Sequence, residues 1–346
     1  MTRPLSCSRR ALLAAAGALV FGAGYVDAGD DRQAAALLNE AAQKSIERGL
    51  AVLQKHQADD GAFKGTSALA RNVAVCSLAG LAWLAQGSTP HRGTFGRELA
   101  RTLEFVQGQV QGSGFVCNLA DTSHGPMYDH GFGTLFLAEV YGMAQSRDLR
   151  DQVTNAVKLI VATQNKEGGW RYEPRPVEAD ISVTIAQIMA LRAARNAGIY
   201  VPNETIEKCI DFVKRCQNPD GGFMYMLQGG PSRFPRSAAG LVALYSAGIY
   251  EGDEVNRALE YMLKHAPREM DPFDAHYLYG HYYAVQAAWQ AGGATWEKWY
   301  PAIRDTLIAK QGRDGSWQDG TSTDYATAMA CLILQIPNNY VPIFQR

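Results

Sequence analysis

Apolar residues recur at i, i+3, i+4 and i+7 in five segments: "IERGLAVLQKHQ", "RELARTLEFVQGQ", "DQVTNAVKLIVATQ", "TIEKCIDFVKRCQ" and "WYPAIRDTLIAKQ". That spacing predicts helices with one apolar stripe. A second kind alternates with them: "NVAVCSLAGLAWLAQG", "FGTLFLAEVYGMAQ", "VTIAQIMALRAARNAG", "SAAGLVALYSAG", "YAVQAAWQAGG" and "ATAMACLILQI". These are Ala-rich and apolar nearly all round. One-sided helices suit an outer layer; helices apolar on every face suit a buried inner one. Gly87, Gly198, Gly248 and Gly292 follow inner-type segments where C-caps are expected. No strand-like alternation of any length occurs.

The outer-type helices run into a recurring joint: "QADDGAF" at Gln57, "QVQGSGF" at Gln109, "QNKEGGW" at Gln164, "QNPDGGF" at Gln217 and "QGRDGSW" at Gln311. An aromatic follows each Gln by six residues: Phe63, Phe115, Trp170, Phe223 and Trp317. The intervals are 52, 55, 53 and 94 residues, so a degenerate copy is expected midway through the last, near Phe273. A period of this size marks a repeat architecture. The fold expected is all-α: six helical hairpins of about 50 residues closed into an (α/α)6 toroid barrel, with an open superhelix as the alternative. In the joint, the Gln amide is expected to tie helix ends of neighbouring units, the Gly residues to make the turn, and the aromatic to pack between hairpins.

Composition narrows the partners. The 346 residues are 47% hydrophobic and carry a formal net charge of −1, with no basic run outside the N-terminus. That allows a large core and sets nucleic acid aside. Residues 1–28 differ: "MTRPLSCSRR" is basic, "ALLAAAGALVFGAG" apolar, and "VDA" resembles a cleavage site. This predicts a twin-arginine-like export signal ahead of a single toroid domain at 29–346, an exported (periplasmic or envelope) protein, and membrane contact only through the signal if it is uncleaved. The other cysteines, Cys76, Cys117, Cys209, Cys216 and Cys331, form no disulfide framework and read as small buried hydrophobes.

The Gln-aromatic repeats, over about 290 residues, resemble those of the terpenoid cyclase and protein prenyltransferase superfamily. The resemblance implies the toroid and leaves the reaction open. Squalene–hopene cyclases protonate an alkene with the middle Asp of D-x-D-D-T. The matching segment here is "VEADISVT", with Glu178 at the first acid, Asp180 at the middle one, Ile181 for the next Asp and Ser182 for the Thr. Asp180 is thus the candidate catalytic acid, with Glu178 and Ser182 beside it, and it also suits the N-cap of the following helix. Prenyltransferase zinc sites use Asp-x-Cys and a later His. Here Asp180-Ile181-Ser182 and Tyr325-Ala326-Thr327 lack the Cys and the His, so no zinc, other metal or cofactor is expected.

In a toroid, the linkers after each joint and the first turns of the inner helices surround one mouth. Residues expected at that rim are His124, Tyr128, Asp129, His130, Thr184, Arg233, Arg236, His276, Tyr279, His281 and Asp324. The mixture points to a central cavity for a polar or amphiphilic small molecule or a lipid-like ligand, with an Arg holding an anion and a His partnering the acid. Three functions fit: acid-catalysed isoprenoid cyclase or isomerase chemistry, a non-catalytic binding toroid of the envelope, or a polysaccharide-acting α/α-barrel enzyme.

Overall fold

The computed structural model describes residues 34–64, 69–121, 125–144, 146–265 and 276–345. The expected export signal and the degenerate joint around Phe273 lie outside them. The described residues form twelve α-helices. The outer helices are α1 (Glu40–His56), α3 (Gly96–Gly108), α5 (Arg147–Thr163), α7 (Asn203–Arg215), α9 (Asp253–Leu263) and α11 (Gly293–Lys310). The inner ones are α2 (Val73–Ala85), α4 (Pro126–Met143), α6 (Ile181–Asn196), α8 (Phe234–Ser246), α10 (Tyr277–Ala291) and α12 (Thr323–Gln335). Each inner helix packs on the next, and α12 packs on α2, so the inner ring closes.

The two hydrophobic patterns sort the layers. Every residue of α2 is buried, because it is wrapped by its ring neighbours and the outer layer. Outer α7 buries only Thr205, Ile206, Cys209, Phe212 and Val213, a stripe at helical spacing. The five described cysteines are buried and form no disulfide with one another.

The joints hold the units in register. Nε2 of Gln164 donates to Gly168 O at 2.9 Å, within its own turn, and to Thr205 O at 2.9 Å, in the first turn of the next outer helix. Gln217 repeats this with Gly221 O at 3.1 Å and Glu254 O at 2.8 Å. Gln57 does so with Gly61 O at 3.3 Å and Glu98 O at 2.9 Å. Gln311 closes the circle, donating to Gly315 O and to Ser45 O on α1, both at 2.8 Å. One amide thus ties its own turn to the next outer helix through two backbone carbonyls.

The turn glycine has positive φ in every described joint (Gly61, Gly114, Gly168, Gly221 and Gly315), and each abuts a carbonyl of the neighbouring outer helix. A Cβ on Gly168 would lie 2.1 Å from Lys208 O, and one on Gly61 2.0 Å from Arg101 O. Only glycine meets both demands. The motif tryptophans then pin the turn to their own outer helix: Trp170 Nε1 donates to Ile160 O at 2.7 Å and Trp317 Nε1 to Leu307 O at 2.8 Å.

The second unit departs from the expected register. There the bridge joins Val110 and Val116, not Gln109 and Phe115, and the turn glycine is Gly114. The tie to the next unit passes instead to Gln107, whose Nε2 donates to Gln152 Oε1 at 2.8 Å. An extra residue between Gln109 and the turn displaces the Gln from the joint, and Gln107, two residues before it, takes the contact.

Side chains fill the barrel midway. Phe132 of α4 meets Tyr282 of α10 across the axis, ring centroids 6.3 Å apart. The floor is covered by the C-terminal segment, where Phe344 stands edge-on to Tyr282 at 6.1 Å. Glu139 of α4 is 2% exposed there, and burial pushes its carboxyl up to about 8 although the Ile343 amide favours the ionised form.

Gly168→Ala is expected to destabilise the fold by about 3 kcal/mol, combining positive-φ strain with overpacking, and Gln217→Leu by about 2 kcal/mol through two lost hydrogen bonds; chemical denaturation of each variant checks both. Glu139 ionises more readily in the unfolded chain, at 4.5, than in the fold, at about 8. Stability is therefore lost as pH rises across that interval. Glu139→Gln should match wild type at pH 4 and exceed it by up to about 5 kcal/mol above pH 8, read from denaturation midpoints across pH.

Candidate functional site

The mouth is the end of the barrel where the post-joint linkers meet the N-termini of the inner helices. Asp180 caps α6 there: Oδ1 accepts from the amides of Ser182 at 2.8 Å and Val183 at 2.9 Å. The residue is fully buried, and Oδ2 has no hydrogen-bond partner. Arg171 Nε stands 4.0 Å from Oδ2, while another nitrogen of the same guanidinium pairs with Glu178 at 2.9 Å. Burial raises the Asp180 carboxyl to about 6; the two cap amides, the Tyr225 hydroxyl and Arg171 oppose the rise. One oxygen therefore shapes the helix and the other is spare.

Tyrosines surround that spare oxygen. The hydroxyls of Tyr172 and Tyr225 are 2.5 Å apart. The Tyr128 ring lies 6.2 Å from Tyr172, and Tyr279 OH donates to Ser182 O at 3.3 Å. Tyr283 is one turn deeper, its ring 4.9 Å from Tyr279. Burial raises the phenols of Tyr128, Tyr225 and Tyr279, and Asp180 adds to the rise in each. Outside this group, an open depression of about 260 Å³ is lined by Arg171, Tyr172, Glu173, Arg175, Val177 and Glu178.

The remaining rim candidates divide. His124 lies outside the described residues. Tyr128 and Tyr279 belong to the tyrosine group, and Ser182 contributes only backbone to it. His276 and Arg233 are exposed at the N-caps of α10 and α8. The others are turned to structural work. Thr184 Oγ1 accepts from the Trp170 amide at 3.1 Å, and Ser237 and Thr327 do the same for Phe223 and Trp317. His130 is their counterpart in the second unit, its Nδ1 accepting from the Val116 amide at 3.1 Å. His281 faces the outer layer, among Phe234, Tyr277 and Trp299. Burial pushes both imidazoles down to about 3, so they stay neutral. Asp129 is held by Asn72 Nδ2 at 2.7 Å and Cys117 Sγ at 3.5 Å. Asp324 accepts from His56 at 2.7 Å, tying the last unit to the first. Arg236 donates to the carbonyls of Phe223 and Pro231 and lies over the Tyr225 ring at 5.8 Å, so it braces a tyrosine instead of holding an anion.

Beside the charged residues expected there, the described mouth gathers tyrosines around Asp180. Tyr172, Tyr225, Tyr283 and Arg171 were missing from the expectation. Tyr172 and Tyr225 had a signal: each falls two residues after a joint aromatic, Trp170 or Phe223, and alternation along that short extended segment turns both residues the same way. Tyr283 had none, since on a helix buried all round no periodicity separates the axis from the ring contacts.

Inner and outer helices alternating along the chain, with the inner ones closed into a ring, define an α/α toroid. The chain belongs to the prenyltransferase alpha-alpha toroid domain family, whose sequence profile matches residues 32–223 and 134–265. Among solved structures it is similar to the type II terpene cyclase MstE from Scytonema (TM-score 0.62, 14% identity, covering 87% of this chain and 98% of that one). A protein from Actinoplanes aligns with TM-score 0.60 and 15% identity over 87% and 99% of the two chains. A GH76 alpha-mannanase from Bacteroides thetaiotaomicron aligns with TM-score 0.59 and 9% identity over 86% and 96%. At these identities the likeness concerns the fold alone. No curated protein matches the chain.

Ionised Asp180 is costly to bury. With 3.8 as its ordinary value and about 6 in the fold, stability falls as pH rises between the two. Asp180→Asn keeps an oxygen for the cap and removes the charge, so it should leave stability at pH 3.5 unchanged and raise it by up to about 3 kcal/mol above pH 6, measured as denaturation midpoints.

Proposed function

We propose that this protein is an exported terpenoid-cyclase-like enzyme in which Asp180 protonates a carbon–carbon double bond of an isoprenoid held at the tyrosine-lined mouth. The observation that carries this is Oδ2 of Asp180, buried without a close hydrogen bond and faced by the Arg171 guanidinium at 4.0 Å and by the Tyr225 hydroxyl. A carboxyl used for such a step must be kept protonated. Where the squalene–hopene motif has its third Asp, this chain has Ile181; burial does the work instead, lifting the group to about 6. The developing carbocation would be attracted to the faces of the surrounding phenol rings. Water is kept from it by the same rings.

The reaching group is a small, lipid-like molecule with a polar end. The apolar side of the mouth suits its chain, and the depression bearing Arg171 and Arg175 suits an acidic or phenolic head. A variant of MstE holds geranylgeranyl dihydroxybenzoate as substrate, which makes that compound a natural first probe. The N-terminal "SRRALL" run and its apolar continuation support export. A second reading, action on a polysaccharide, is favoured by the similarity to an alpha-mannanase.

Turnover of geranylgeranyl dihydroxybenzoate and of squalene, followed by mass spectrometry in deuterated buffer, tests the proposal. One deuteron should enter each product, the rate should fall as pH rises through about 6, and Asp180→Asn should cut it roughly a hundredfold or more. A rate unchanged by that substitution would remove Asp180 as the acid; mannan cleavage in place of isoprenoid turnover would favour the second reading.

A further inference from the structure

Asp319, half-buried in a loop, shares one feature with Asp180. Oδ1 accepts from the Thr321 amide at 2.7 Å, and Oδ2 is buried with no hydrogen-bond partner. It falls two residues after the joint aromatic Trp317, the register position that carries Tyr172 and Tyr225 into the mouth from the third and fourth units. Asp319 therefore enters the mouth from the sixth. Its neighbours agree: Asp319 and Tyr279 both act on the Tyr325 phenol, and Asp180 acts on Tyr279. His276, exposed at the N-cap of α10, supplies a positive influence on Asp319.

We infer that Asp319 is the carboxylate that takes up the proton when the reaction at Asp180 ends, with His276 passing it to solvent. The inference rests on the acid chemistry proposed above. Asp180 gives its proton to one carbon of a double bond, and the positive charge appears on the other carbon of that bond or, after ring closure, further along the chain. A carbon next to the cation gives a proton to Asp319, and the electron pair of that C–H bond becomes the new double bond. Asp180 regains a proton from water, and His276 returns one to water. The product is an isomer of the substrate, and no oxidant or reductant enters. Burial raises the Asp319 carboxyl above its ordinary value, which makes its ionised form a stronger proton acceptor. Two carboxyls at one aromatic mouth separate the acid from the base, so the proton delivered need not be the proton removed.

Two measurements on the full-length protein test this. A dimethylated polyprenyl amine, a stable cation in the place of the carbocation, should bind wild type at least tenfold more tightly than Asp319→Asn in calorimetry, with Asp319→Glu restoring part of the affinity. With geranylgeranyl dihydroxybenzoate, Asp319→Asn should shift the product from alkene toward the alcohol formed by water capture, while Asp180→Asn abolishes both. Thermal melts confirm that each variant is folded. Amine binding that is equal in wild type and Asp319→Asn, or absent from both, overturns the assignment, as does an unchanged alkene-to-alcohol ratio. Turnover that survives Asp180→Asn instead overturns the reading of Asp180 on which the assignment rests.

Discussion

The structure depends on a carbonyl packed against a glycine. In four of the five described joints the turn passes so close to the neighbouring outer helix that a Cβ would overlap a backbone oxygen, and at Gly315 it would crowd one. The backbone there also takes a positive φ that L side chains avoid. The adjacent Gln amide can reach its own turn and the next helix together only because that approach is close. This contact holds each described unit against the next, and the inner helices close into a ring. Gln311 reaching back to Ser45 is the same contact made across the two ends of the chain.

Closure has a consequence for chemistry. The inner helices all point their N-termini toward one end, where their first turns and the linkers before them converge from distant parts of the sequence. Asp180 illustrates the economy of that arrangement. Its cap role needs one oxygen, and the burial that the ring imposes leaves the other without water. A structural requirement therefore produces a carboxyl held closer to neutral than an exposed one. Asp319 shares the spare buried oxygen, in a loop instead of a helix cap. The proposed acid and base both follow from local backbone needs combined with burial.

The same logic explains which candidates fell away. A helix side chain facing the joint strand is needed to satisfy an orphan amide. Thr184, Ser237 and Thr327 do this with a hydroxyl, and His130 does it with an imidazole. Residue type alone singles out His130 as chemistry, whereas its place in the repeat makes it a strut. Arg236 likewise spends its donors on carbonyls of its own linker.

The repeat, the two layers and the closed ring could be read from residue order, because each is local: helical period, a turn glycine and a Gln at fixed spacing recur within about 50 residues. Asp180 was legible for the same reason, as the first polar residue before an apolar helix. The one-residue shift of the second joint was not, because two Gln residues near it offer rival alignments. The tyrosine lining of the mouth was only half visible. Tyr172 and Tyr225 share a register position, but Tyr283 and the inward turn of Asp319 depend on where six segments meet. Local sequence determined what each unit is. Ring closure decided which side chains face one another, since that is set by packing between residues far apart in the chain.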